Sequence, residues 1–167
     1  MPGVSAEFGN KVWDPLGLSS KMDEENLNLI RAAELKHCRV AMLANVGWAW
    51  TATGTHFKGM LSPSMGISFE DCAAAGNPIL AAAKVPGPGI QQIILAVGAL
   101  EIYWEGKYPS NKCAGNFGVP PATQDPERLR FFQEAELKNG RLAMIGFISY
   151  AVHEAIPGAV PLYPFPK

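Results

Sequence analysis

Two ten-residue stretches decide how this chain folds. Ala33-Glu-Leu-Lys-His-Cys-Arg-Val-Ala-Met42 and Ala135-Glu-Leu-Lys-Asn-Gly-Arg-Leu-Ala-Met144 align without a gap at an offset of 102, and seven of the ten positions are identical. A repeat that occurs only twice, at so long a spacing, is a duplicated helix rather than a solenoid. Two related helices in the same orientation pack about a pseudo-two-fold axis, so each position of one copy faces the equivalent region of the other. Each copy carries Glu at i and Arg at i+5. Five residues leave two side chains about 140° apart around a helix, so Glu34 and Arg39 do not share a face. Reciprocal pairing resolves this: Glu34 with Arg141, and Glu136 with Arg39. Small residues nearby (Ala41, Ala44, Gly47, Gly140, Ala143 and Gly146) would let the two helices approach closely.

Charge sets the environment in which such helices must sit. The chain has 167 residues, the size of one domain, and only 17% are charged, against roughly 25% for a soluble domain. The 14 basic and 15 acidic residues give a net charge of −1, which excludes a basic footprint for nucleic acid. Three cysteines, Cys38, Cys72 and Cys113, show no metal-ligand spacing, and no intrachain disulfide is expected. The first ten residues do not read as a signal or transit peptide, so any targeting segment is expected to have been removed.

Three apolar segments predict an all-α integral membrane fold with three transmembrane helices in one domain, 1–167. Val40 to Phe57 is an uncharged run of 18 residues, about 27 Å of helix. The helices are expected at about 23–57, 89–105 and 126–155. The apolar part of the third, Leu142 to His153, is short and must recruit Glu136 and Arg141 toward the hydrocarbon. In that topology eleven basic residues lie on the side that holds the N-terminus and three on the other, a strong positive-inside bias. Between them, Ser68 and Asp71 resemble a capping box, and short helical turns are expected over Met60–Pro88. The proline-rich tail, Ile156 to Lys167, should be extended.

Ionisable groups at membrane depth are expensive unless paired or functional. Between each Glu and Arg, at i+3, stands a neutral Lewis base: His37 in the first copy, Asn139 in the second. Each shares a helical face with its glutamate. The magnesium of a chlorophyll asks the protein for one nitrogen or oxygen donor, and imidazole, amide and an arginine-neutralised carboxylate all qualify.

Glu34-x-x-His37-x-Arg39 and Glu136-x-x-Asn139-x-Arg141 resemble the paired motifs of the chlorophyll-binding light-harvesting antenna family. Val12-Trp-Asp-Pro-Leu-Gly-Leu18 resembles that family's pre-helix motif, with Gln124-Asp-Pro-Glu127 as a partial second copy. The short loops are most similar to chlorophyll a/c antennae of red-lineage algae, the dinoflagellate form above all. The resemblance implies that Glu34, His37, Glu136, Asn139 and His153 are chlorophyll ligands, and that Arg39 and Arg141 lock the helices. In the middle helix the matching candidates are Gln92 and Glu101. Trp104, not an arginine, lies three residues after Glu101, so a pigment, water, Lys107 or a neighbouring subunit must compensate that acid. Carotenoid ends would lie near Asp14, Pro15, Leu16, Asp125 and Pro126.

The implied cofactors are chlorophyll a, chlorophyll c and carotenoids of the peridinin or fucoxanthin type and the diadinoxanthin type. The implied partners are a photosystem core, neighbouring antenna subunits and thylakoid lipids. The implied site is the chloroplast thylakoid, with the N-terminus stromal and the C-terminus lumenal. No nucleophile–base pair stands out, so the chain reads as a non-enzyme. Two alternatives remain open: a photoprotective quenching antenna, and a non-pigmented membrane structural or transport protein whose Glu–Arg pairs only clamp helices.

Overall fold

The computed structural model describes residues 9, 11–118, 120–121 and 123–161. A 3-10 turn at Ser19–Lys21 is followed by α1 (Glu24–Ala52), β1 (Met60–Ser62), β2 (Ile67–Ser68), α2 (Phe69–Ala73), α3 (Pro78–Ala83), α4 (Gly87–Lys107), α5 (Ser110–Cys113) and α6 (Pro126–Ala155). The chain is mostly helical. It departs from the all-α expectation by one short antiparallel hairpin, in which Met60 pairs with Ser68 and Ser62 with Ile67. Its turn is closed by the Met65 amide donating to Ser62 O, and Gly66 takes a φ of +69° that side-chain-bearing residues avoid.

Helix α1 begins with Glu24 and Glu25, acids that complement the positive end of the helix dipole. It ends at Ala52, five residues before the expected boundary at Phe57. Gly54 turns left-handed at φ +73°, while the Thr51 and Thr53 hydroxyls donate back to Gly47 O and Trp50 O. The uncharged part of α1, from Val40 to Ala52, therefore makes only about 20 Å of helix. In α6, Asp125 supplies the cap: its backbone carbonyl accepts from Leu129 N and its Oδ1 from Glu127 N. Gln91, Gln92 and Glu101 dilute the apolar run of α4. Among the described residues, no helix is long and apolar enough to cross a membrane.

Helices α2 and α3 each start on a side-chain cap. Ser68 and Asp71 form a full capping box, and Asn77 Oδ1 accepts from Leu80 N at 2.7 Å ahead of Pro78. The Ser68 hydroxyl and backbone amide hold the Asp71 carboxyl below its ordinary value. Lys84 Nζ reaches Asp71 O at 2.9 Å and ties the two short helices together. Residues 162–167 of the proline-rich tail and most of the first ten residues lie outside the described residues.

Two compact units can be distinguished within the chain: Met1–Met42 with Ile102–Met144, and Leu43–Glu101 with Ile145–Lys167. In the first unit, Ala32, Cys38, Ala41, Leu137 and Gly140 are buried. In the second, Trp48 is buried against Phe147 and Tyr150, with ring centroids 5.7 and 5.9 Å away. Trp48 and Tyr150 stand 102 residues apart, the same offset as the repeated motif. Trp48 is thus a core residue of this unit.

Little else is covered. Helix α4 has no buried residue, and Leu95 and Ile102 are 73% and 77% exposed. Soluble monomers rarely present so much contiguous apolar surface.

Candidate functional site

The first unit holds the two repeats, and they meet at equivalent positions. A side chain at Gly140 would collide with Cys38: a Cβ there would lie 2.6 Å from Cys38 Sγ and 3.0 Å from its Cα. Cys38 is itself fully buried. Because 38 and 140 are the same position in the two copies, the pseudo-two-fold relation passes through this contact.

The charged groups are arranged around it reciprocally. Arg141 donates from Nε to Glu34 Oε1 at 2.9 Å, and its second terminal nitrogen lies 2.8 Å from the same oxygen. Arg39 donates from Nε to Glu136 Oε1 at 2.7 Å. Each arginine therefore engages one oxygen of its carboxylate and leaves Oε2. The pairs are about one-third to one-half exposed in the chain alone. Charge-assisted bonds of this length are among the stronger contacts a helix pair can make.

The two pairs are not equivalent. Arg39 also donates from Nη1 to Gly115 O at 3.0 Å, and its guanidinium lies 5.6 Å from the centre of the Phe117 ring. The loop that provides both follows α5, where Ala114 and Gly115 take left-handed φ of 48° and 83°. Gly115 must be small, since a Cβ would come within 3.1 Å of Leu35 and 3.4 Å of the Ala32 backbone. Glu105 anchors the start of this segment by accepting from the Ser110 amide and hydroxyl at 2.8 and 2.6 Å. A cleft of about 620 Å³ opens beside the pair, lined by Arg39, Glu136, Leu35, Leu129, Phe132 and Leu137 among others.

His37 and Asn139 are exposed one turn from their glutamates, and both are oriented in the same way. His37 Nδ1 lies 2.8 Å from Ala33 O, and Asn139 Nδ2 donates to Ala135 O at 2.9 Å. A carbonyl only accepts, so Nδ1 carries a proton, and in the neutral tautomer that this bond selects the lone pair is on Nε2. Asn139 likewise keeps Oδ1 outward. The same backbone anchor, four residues back, recurs in both copies. It is the kind of outer contact that fixes tautomer and direction for a ligating side chain.

The remaining expected residues are placed more simply. Gln92 and Glu101 lie exposed on α4, and His153 is half-buried near the end of α6. Asp14 accepts from Leu18 N, Ser19 N and the Ser19 hydroxyl, which hold its carboxyl below the usual range and fold the turn ahead of α1. Pro15 and Leu16 are exposed on that turn, while Asp125 and Pro126 open α6. The sequence gives no sign of Gly115 or Phe117 as partners of Arg39, because a backbone carbonyl leaves no motif.

The two copies thus pair their helices through reciprocal Glu–Arg contacts and leave His37 and Asn139 exposed beside them, each anchored to a backbone carbonyl. Residues 1–155 match the chlorophyll A-B binding protein family, and the chain belongs to that family of light-harvesting antenna apoproteins. It is 36% identical over 160 residues to the chloroplastic fucoxanthin-chlorophyll a-c binding protein B of Macrocystis pyrifera, covering 92% of this chain and 71% of that protein. It is 32% identical to the corresponding protein of Trieres chinensis, covering 90% and 76%. It is also 32% identical to protein A of Phaeodactylum tricornutum, covering 86% and 74%.

Proposed function

We propose that this chain is a light-harvesting antenna apoprotein of the chloroplast thylakoid, binding chlorophyll a, chlorophyll c and carotenoid. The observation that carries the reading is the matched donor set: two carboxylates neutralised through one oxygen, and His37 and Asn139 anchored identically. Magnesium within a macrocycle needs one axial donor, and each of these four groups offers one lone pair outward. Gln92, Glu101 and His153 are the further ligands in this reading. The chain's own work is positional: α1 and α6 fix each donor, and the arginines keep the carboxylates charged yet compensated. Bound chlorophylls supply light absorption and pass excitation between themselves.

The relatives' names favour a fucoxanthin-type carotenoid over the peridinin or diadinoxanthin types. Asp14, Pro15, Leu16, Asp125 and Pro126 are the proposed end-group contacts. In this reading α1, α4 and α6 span the membrane with the N-terminus stromal and the C-terminus lumenal. The exposed aliphatic faces then meet pigment and lipid, and the partners are a photosystem and neighbouring antenna subunits. No catalysis is proposed.

Solvent extraction and chromatography of the gently purified native protein tests this directly. Chlorophyll a with chlorophyll c is the expected result, and a folded protein without chlorophyll would reduce the ion pairs to helix clamps. His37→Leu should then lose one chlorophyll per chain with the fold intact, and an unchanged pigment count would remove His37 from the ligand set.

A further inference from the structure

Outside these repeats, the second unit holds a separate cavity of about 310 Å³ behind the C-terminal end of α1. Its wall is aromatic and aliphatic: Trp50, Phe57 and Phe69, with Leu61, Ala81 and Val85. The three rings form a chain, Trp50 to Phe57 at 5.9 Å and Phe57 to Phe69 at 5.8 Å. His56 lines the same cavity. Its Nδ1 lies 3.1 Å from Phe57 O, again an oxygen that only accepts. Nδ1 therefore carries a proton, and in the neutral tautomer that this bond selects the lone pair is on Nε2, as for His37. Thr51, Thr55 and Cys72 also line it, and a mostly apolar pocket with a few placed polar groups is the usual form of a site for a large, mostly apolar cofactor.

We infer that His56 is an additional magnesium ligand, holding a chlorophyll whose edge or hydrocarbon tail enters the cavity walled by Trp50, Phe57 and Phe69. This rests on the antenna reading above but uses none of its ligands. His56 follows the left-handed Gly54 that stops α1, so its position depends on the early end of that helix rather than on the repeated motif. The cavity has room for part of a pigment, and the exposed imidazole leaves the metal side open.

The test compares wild-type and His56→Leu protein, each purified with native pigments. Chlorophyll per polypeptide is measured after extraction, with far-ultraviolet circular dichroism and a red-region absorption difference spectrum. The inference expects one chlorophyll fewer, a single missing red band and unchanged helix content. An unchanged chlorophyll count would overturn it. So would the loss of several pigments together with helix, which would mark His56 as structural. A wild-type protein with no chlorophyll would overturn the antenna reading as well, whereas a full wild-type complement retained by His56→Leu overturns only this site.

Discussion

Gly140→Ala probes the geometry on which the ligand set depends. The added methyl would stand 3.0 Å from Cys38 Cα and 2.6 Å from Sγ, whereas carbon atoms pack at about 3.5–4.0 Å. Backbone cannot rotate away, so the two helices must part by about 1 Å. Arg39 and Arg141 each follow the contact residue by one position, and their bonds to glutamate are 2.7 and 2.9 Å long. A 1 Å separation takes both beyond hydrogen-bond length. Overpacking of this kind costs about 1–3 kcal/mol. For a chain of this size that corresponds to a fall in melting temperature of about 2–10 °C. Thermal melting followed by visible circular dichroism of the pigmented protein reads it. Because 38 and 140 are equivalent positions, Cys38→Gly combined with Gly140→Cys returns one small and one larger residue to the same contact, and should recover most of the loss. If Gly140→Ala melts with the wild type, or if the exchanged pair is no better than Gly140→Ala, the pseudo-two-fold contact does not set the spacing of the ion pairs.

Other perturbations separate the remaining parts. Arg141→Leu leaves Glu34 uncompensated, at a cost of about 3 kcal/mol or more in an apolar setting; assembly with pigment should fail, and normal assembly would refute the pairing. His37→Leu and Asn139→Leu should remove red bands at different wavelengths, because among the described residues the Glu136 pair of the second copy is the one braced by Gly115 and Phe117 and opening on a cleft; superimposable difference spectra would show the two sites to be alike. Asp71 has a folded pKa lowered from 3.8 by Ser68, so its contribution is present above that value and is lost as pH falls through the lower folded one. A carboxyl-carbon NMR titration should show Asp71 ionised from pH 7 to pH 5, and titration inside that interval would refute the capping geometry.

The duplication made the reciprocal pairs legible, because one offset relates both glutamates and both arginines and helical geometry forbids pairing within a copy. The matched positions of His37 and Asn139 at i+3 were legible for the same reason. The exact point of approach was not: Ala44 and Gly47 are as small as Ala41 and Gly140, and only the packing selects Cys38 against Gly140. Charge counting extended α1 to Phe57 because it does not register Gly54, whose left-handed turn stops the helix within an uncharged run. The hairpin at 60–68 is too short for strand alternation to show. Gly115 and Phe117 reach Arg39 through a loop conformation, and nothing in their spacing from residue 39 announces it.

Hydropathy explains a remaining tension. Summed residue by residue, none of the described helices is apolar enough to cross a membrane, and yet the chain belongs to an antenna family. For α1 and α6, the sum treats Glu34, Arg39, Glu136 and Arg141 as four separate charges. In the structure they are two neutral pairs, each shared between α1 and α6. Apolarity in the proposed spanning state is then a property of the helix pair and not of either helix. In that proposed state, α1 and α6 would dock before either becomes stable in lipid. Helix α4 exposes Leu95 and Ile102 at 73% and 77%, and in the proposed reading pigment or lipid covers those faces. It is therefore the element whose stability should respond most to pigment supply.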